Sequence, residues 1–273
     1  MSKRNSQSAK TAARERLRQE RERQAKRDKA RRQIIVAGSV VAVLAAAGGI
    51  GYAVVQANKP GYWDGLKDAS NVAAPANTTG AKGTTVVIGK DTAKKTLKVY
   101  EDPRCPVCAQ FEQTVGSTVK KDVDGGKYKI QFVGATFIDA HDNGVGSKNA
   151  LSALGAALNV SPEAFLEYKG ALYSTKFHPD EQTDKFKSDD YLIKIADTVP
   201  ALKNNAKFQS AVKKGTYDAW AMAMSKSFDD NKDGVSGTPS FVMDGKKLTA
   251  DSQGSPPMTV ADYNRVLDAA LKG

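Results

Sequence analysis

The sequence predicts an α/β domain in which a long block of helices interrupts a single sheet, carried behind one N-terminal transmembrane helix. Three observations predict it. An uncharged run of 22 residues, 34–55, follows a strongly basic start. From residue 84 onward the pattern runs β-β-α-β, then helices, then β-β-α. The only two cysteines, Cys105 and Cys108, sit where a strand gives way to a helix.

The formal charge of +11 is local. The first 32 residues carry 13 Lys+Arg and 4 Asp+Glu, which leaves 28 basic and 26 acidic side chains elsewhere. With the body nearly neutral, the overall charge is no argument for nucleic-acid binding by the whole chain. Residues 1–33 are a solvated basic tail with no apolar stripe. Residues 34–55 are long enough to cross a bilayer core of roughly 30 Å. The positive-inside rule then keeps the tail cytoplasmic and places everything after the span outside. A cleaved signal peptide ending near Val55-Gln56-Ala57 is the competing reading. Its apolar core would usually be shorter, about 7–15 residues, and an uncleaved anchor is preferred. Residues 56–83, rich in Ala, Asn, Thr, Gly and Pro, read as a linker with a short ordered patch at Tyr62-Trp63.

The folded domain is expected over 84–273. Residues 85–88 and 96–101 read as strands, 105–120 as a helix, and 127–138 as another strand. The helical insertion covers about 144–232. Within it 145–158 is helical, and Ser161-Pro162-Glu163 starts the next helix with a capping hydroxyl, a proline in the first turn and an early acid. Ser188 and Thr216 read as further caps, with Gly215 ending the helix before Thr216. Residues 240–243, Asp244-Gly245 and 246–248 read as a hairpin with a two-residue turn. Thr259 caps a last helix with Val260, Tyr263, Leu267 and Leu271 on its apolar face.

The chemistry concentrates at Cys105-Pro106-Val107-Cys108. A bridge across so small a loop removes little chain entropy, so a purely structural disulfide is not expected. A dithiol enzyme needs one thiolate that attacks a disulfide and a second thiol within reach to resolve the mixed disulfide. Pro106 suits a first helical turn. Cys105 then sits at the helix N-terminus, where free N–H groups and the helix dipole favour its thiolate. Cys105 is the expected exposed nucleophile and Cys108 the shielded resolving thiol. A structural zinc site is disfavoured, because there is no second cysteine pair and 36 residues lie between His141 and His178. Copper carriage by the two thiols has no Met/His cluster to support it.

The exported domain resembles the DsbA-like group of thioredoxin-fold thiol:disulfide oxidoreductases, of the membrane-anchored, BdbD-like extracytoplasmic type. The resemblance is carried by Asp102-Pro103-Arg104-Cys105-Pro106-Val107-Cys108 with Phe111 behind it, by the insertion of about 90 residues, and by Asp233-Gly234-Val235-Ser236-Gly237-Thr238-Pro239. It implies a thioredoxin fold and a cis Pro239 facing the dithiol. It also implies that the Thr238 main chain binds an extended substrate segment. The implied activity is disulfide exchange with exported cysteine-containing proteins, most readily as an oxidase. Reductase or isomerase action, or a non-enzymatic binding or copper-delivery role, are the alternatives. No separate cofactor is implied beyond a redox-active Cys105–Cys108 disulfide. A membrane oxidase of the vitamin-K-epoxide-reductase type is the implied reoxidant. Strongly oxidising members often carry His where this chain has Val107. Its absence predicts a less acidic Cys105 thiol and a less oxidising pair.

Other constellations are weighed against this one. Asp229-Asp230-Asn231-Lys232-Asp233-Gly234 matches the first half of a calcium loop, but Ser240 stands where the bidentate Glu belongs; a polar turn is preferred. Glu101 and Asp102 are candidate proton relays for Cys108, or simply acids at a strand end. His141 and His178 read as loop residues. Trp220, Met222 and Met224 read as helix packing.

Overall fold

The computed structural model describes residues 61–272, with Gln24 alone before them. The expected 34–55 span, the rest of the basic tail and residues 56–60 lie outside the described residues. Among those described, no helix is long and apolar enough to cross a membrane.

In chain order the helices are α1 Tyr62–Leu66, α2 Pro106–Thr114, α3 Gly116–Gly125, α4 Asp139–Asp142, α5 Gly146–Val160, α6 Pro162–Leu172, α7 Asp189–Ala196, α8 Ala206–Lys213, α9 Asp218–Asp229 and α10 Val260–Lys272. The strands are β1 Val86–Ile88, β2 Thr96–Glu101, β3 Lys129–Gly134, β4 Ser240–Met243 and β5 Lys246–Lys247, forming one sheet in the order β1-β3-β2-β4-β5. β2 pairs in parallel with β3, from Thr96 opposite Lys129 to Glu101 opposite Gly134. A parallel pair needs a crossover, and α2 with α3 supplies it. β4 runs antiparallel to β2, and Asp244-Gly245 turns it into β5 with positive φ at both positions, 52° and 74°. That is the conformation that favours a glycine in a two-residue hairpin.

One face of the sheet packs against α2 and α10. Phe111 of α2 lies 4.5 Å from Phe241 of β4 and 6.0 Å from Tyr263 of α10, ring centre to ring centre. The other face packs against the insertion, where Phe132 of β3 meets Phe165 of α6 at 5.2 Å. Helix α5 is buried along most of its length, from Gly146 to Leu158. This explains why it reads as Ala and Leu on all sides rather than as an amphipathic stripe. Gly155 lets α9 approach closely; a Cβ there would stand 2.8 Å from the Trp220 ring. Trp220 and Met224 are fully buried and Met222 nearly so, as packing residues of α9.

Three expectations are corrected. The linker expected through residue 83 is folded onto the domain from Gly61 onward. Tyr62 Oη donates to Asp218 (2.8 Å), Asn77 Nδ2 to the Leu158 carbonyl (2.7 Å), and Trp220 Nε1 to the Gly83 carbonyl (2.8 Å). Ala/Asn/Gly-rich composition looks like linker because partners 81 to 156 residues away satisfy its polar groups. The single helix expected over 105–120 is two, broken at Val115, whose φ of −115° is stretched well beyond the helical value of about −63°. The break brings Val119 and Val123 inward. Thr216 does not cap α9: its N–H donates to the Ala211 carbonyl (3.0 Å) behind Gly215 at φ 59°, closing the end of α8. The expected caps at Ser161, Ser188 and Thr259 do accept backbone N–H bonds.

Candidate active site

β2 delivers its last residues to a turn in which the Cys105 N–H donates to the Asp102 carbonyl (2.9 Å). Pro106 then opens α2, and Cys105 is its N-cap residue. The Cys108 N–H donates to Cys105 Sγ at 3.4 Å, and the Cys105 thiol points at the Thr238 carbonyl, 3.6 Å away. The Thr238–Pro239 bond is cis. The Cys108 side-chain hydrogen bond is the largest influence lowering the Cys105 thiol, to about 6. Burial opposes it, and Thr238 and the N–H groups of Val107 and Cys108 assist. Contrary to expectation, Cys105 is not exposed: it is 5% exposed, packed under the cis-proline loop and the insertion. Cys108 is fully buried, and that burial pushes its thiol well up, with Cys105 adding to the effect. Val107 stands 42% exposed beside the dithiol.

The two strand-end acids part company. Asp102 spends its oxygens on structure: it accepts from the Arg104 N–H (3.0 Å), the Ile138 N–H (3.1 Å) and Ser147 Oγ (2.6 Å). Burial lifts its carboxyl to about 7 in spite of those bonds. Glu101, equally buried, accepts from Lys169 Nζ of α6 (2.8 Å), which also reaches Glu112 (2.7 Å). Burial pushes Glu101 up to about 8 against the pull of Lys169, and its charge acts on Cys108. Asp102 is thus a clamp on the turn, while Glu101 pairs with the insertion through Lys169. A cavity of about 210 Å³ opens beside this cluster, with Glu112, Lys169, Val119 and Leu166 among its walls.

The insertion supplies the groups that the sequence did not single out. Tyr173 Oη donates to the Asp102 carbonyl (3.0 Å) and packs with Cys105, Cys108 and Ile138. His178 Nε2 lies 3.2 Å from the Pro103 carbonyl and its ring stacks on Tyr173 at 5.8 Å. Burial holds its imidazole below the usual range. His178 is thus a loop residue, as expected, but one that touches the dithiol turn. His141 lies instead in α4, with its ring 6.4 Å from Phe137. Nothing local marks Lys169, Tyr173 or His178; they lie 57 to 75 residues from their partners.

The calcium-like segment is occupied by its own fold. Asn231 Oδ1 accepts from the N–H groups of Asp233 (3.1 Å) and Val235 (3.0 Å), and Asp233 pairs with Lys98 (2.8 Å) and the Tyr100 hydroxyl. Among the described residues no three His, Cys, Asp or Glu side chains gather as a metal set. The segment holds the loop that leads to Thr238 and Pro239.

A five-stranded sheet of this order, a dithiol opening a helix after β2, and a cis-proline before β4 facing it define a thioredoxin-type domain. Comparison with known proteins agrees. A family model described as Thioredoxin matches residues 81–269, and the chain belongs to that family. It is 29% identical over 99 residues to disulfide bond formation protein D of Bacillus subtilis, covering 36% of this chain and 41% of that protein. It is 24% identical over 172 residues to serine/threonine-protein kinase PknE of Mycobacterium tuberculosis, covering 60% of this chain and 29% of the kinase. The chain thus spans less than half the length of these curated relatives. Among solved structures, oxidised BdbD from Bacillus subtilis superimposes with a TM-score of 0.55 at 21% identity, over 74% of this chain and 100% of that one. Oxidised DsbA from Mycobacterium tuberculosis gives 0.54 at 23% identity, over 69% and 98%. These likenesses establish the shared fold.

Proposed function

We propose that this chain is a thiol:disulfide oxidoreductase acting on cysteine pairs of exported proteins, with Cys105 as nucleophile and Cys108 as resolving thiol. The observation that carries the reading is the asymmetry of the pair. Cys105 has a lowered thiol and a hydrogen bond from the Cys108 N–H, while Cys108 lies fully buried with a raised thiol. The bound redox group is the Cys105–Cys108 disulfide itself, with no separate cofactor.

In the oxidising direction, a substrate thiolate attacks Cys105 Sγ. A substrate–Cys105 bond forms, the Cys105–Cys108 bond breaks, and Cys108 leaves as a thiolate that takes a proton, for which the raised Glu101 carboxyl is the proposed donor. A second substrate thiolate then attacks the substrate sulfur of the mixed disulfide and expels Cys105 as a stabilised thiolate. The substrate gains a disulfide, and two electrons rest on the Cys105–Cys108 dithiol. A low nucleophile pKa stabilises the reduced pair and so favours this direction. The Thr238 main chain, next to Cys105, would receive the extended substrate segment. Reoxidation would fall to a membrane oxidase of the vitamin-K-epoxide-reductase type. Anchoring by residues 34–55, with the tail cytoplasmic and the domain outside, rests on the sequence pattern; protease accessibility of the domain in intact cells tests it.

Serine substitution tests the chemistry. Cys105→Ser should abolish exchange with a dithiol peptide, and Cys108→Ser should accumulate mixed disulfides through Cys105. Exchange that survives Cys105→Ser would refute the assignment.

A further inference from the structure

The residue immediately before the nucleophile is a buried arginine. Arg104 is 1% exposed, and its guanidinium is committed to the insertion. Nη1 donates to Asp139 Oδ1 (3.0 Å), Nη2 donates to the Glu181 carbonyl (2.8 Å), and Asp184 Oδ1 stands 3.7 Å from Nη1. Asp139, with a fully buried side chain, also accepts from the Ser147 N–H (2.8 Å) and Lys148 N–H (3.0 Å) at the start of α5, and pairs with Lys148 Nζ (3.2 Å). Asp184 accepts from the Val145 N–H (3.0 Å). The fit is tight: a Cβ on Gly146 would stand 2.0 Å from Asp184 Oδ1 and 3.1 Å from Arg104 Cδ.

A buried ion pair adds little net stability over apolar packing of the same volume. Stability alone therefore does not account for a desolvated cation placed one residue from the reactive sulfur. We infer that Arg104 is the positioning residue of the dithiol: its guanidinium fastens the turn from Asp102 to Cys105 onto the insertion and lends a buried positive charge to the Cys105 thiolate. The inference rests on Cys105 being the nucleophile of disulfide exchange. It gives the insertion a role in setting the reactivity of the pair. The charged groups around the guanidinium are Asp139 and Lys148 from the α4–α5 region, Asp184 from the loop before α7, and Asp102 on the turn itself.

The test is the absorbance titration of the Cys105 thiolate in the reduced full chain, with the redox equilibrium against glutathione. Arg104→Met strips the cation and leaves Asp139 and Asp184 facing the turn. The Cys105 titration should rise by about one pH unit, the order of one lost favourable interaction with a nearby unit charge in a partly buried site. The equilibrium should shift about tenfold toward the disulfide, or about 30 mV. Arg104→Lys, which keeps the charge and loses the fork, should restore most of the titration. Asp184→Asn keeps an oxygen for Val145 and removes a negative charge, so it should move the titration down; this variant decides the matter if Arg104→Met does not fold. A folded Arg104→Met with an unmoved titration, or an Asp184→Asn that moves it upward, overturns the assignment. Wild-type exchange with a dithiol peptide is followed alongside. If the wild type exchanges and the variants titrate alike, only the role of Arg104 fails; if the wild type does not exchange, the functional reading itself fails.

Discussion

Replacing Lys169 with methionine removes the single ammonium that serves two carboxylates. Lys169 Nζ sits 2.8 Å from Glu101 and 2.7 Å from Glu112, with its side chain 5% exposed and those of its partners 0% and 11%. Breaking a buried pair from one side costs about 3–5 kcal/mol, because the remaining charge loses its compensation without regaining water. The sign with pH follows from the acids left behind. Glu101 already has a carboxyl raised to about 8 by burial, and without Lys169 it rises further. A carboxyl raised in the folded state binds protons that the unfolded chain has already released. Its penalty is absent below about 4.3, the unfolded value, and grows as pH rises toward the folded value. The wild type shares that penalty up to about pH 8, so the loss specific to the variant opens above it. Denaturant unfolding of the reduced full chain should show Lys169→Met losing about 3–5 kcal/mol at about pH 9.5 and clearly less at about pH 6. Adding Glu101→Gln, which takes away one stranded charge, should return a large part of the loss at the higher pH. A single variant equally destabilised at both pH values, or a double variant less stable than the single one at the higher pH, would refute this account of the cluster.

Three further outcomes are expected. Alkylation of the reduced protein should follow a Cys105 titration near pH 6, with Cys108 unreactive through pH 8; Val107→His should lower the Cys105 midpoint, and a midpoint unmoved by it would remove Val107 as the cause of a moderate acidity. Glu101→Gln should slow resolution of a Cys105 mixed disulfide by Cys108 about 100-fold, in the range of a lost general acid or base, while attack by the Cys105 thiolate on a substrate disulfide changes little; rapid-mixing kinetics separates the two steps. Ser161→Ala should cost about 1 kcal/mol in thermal unfolding, because Ser161 Oγ accepts the Ala164 N–H at the start of α6.

Much of the architecture is legible in the sequence because its signals act within one or two turns of chain. Cys105, Pro106 and Cys108 announce a helix start, Asp244-Gly245 a hairpin, and Ser161-Pro162 a cap. The order of strands and helices then fixes which ones join the sheet. The errors fall where a local signal competes with a distant partner. Thr216 reads as a cap on its own, yet its N–H closes the preceding helix. Residues 61–83 read as linker because composition does not reveal that Asp218, Leu158 and Trp220 hold them.

The same division runs through the site. The residues alone place a dithiol at the mouth of a helix, and the family resemblance adds a Thr-Pro element, later in the chain, that faces it. Only the tertiary structure decided which acid serves which group. Glu101 and Asp102 are neighbours of like chemistry, but Glu101 closes β2 while Asp102 opens the turn that follows it. One therefore meets Lys169, 68 residues on, and the other meets Ser147, 45 residues on. Arg104 likewise has no local partner and takes Asp139 from 35 residues away. Desolvation and pairing set these charges, and both are properties of the packed insertion that no stretch of chain near Cys105 encodes.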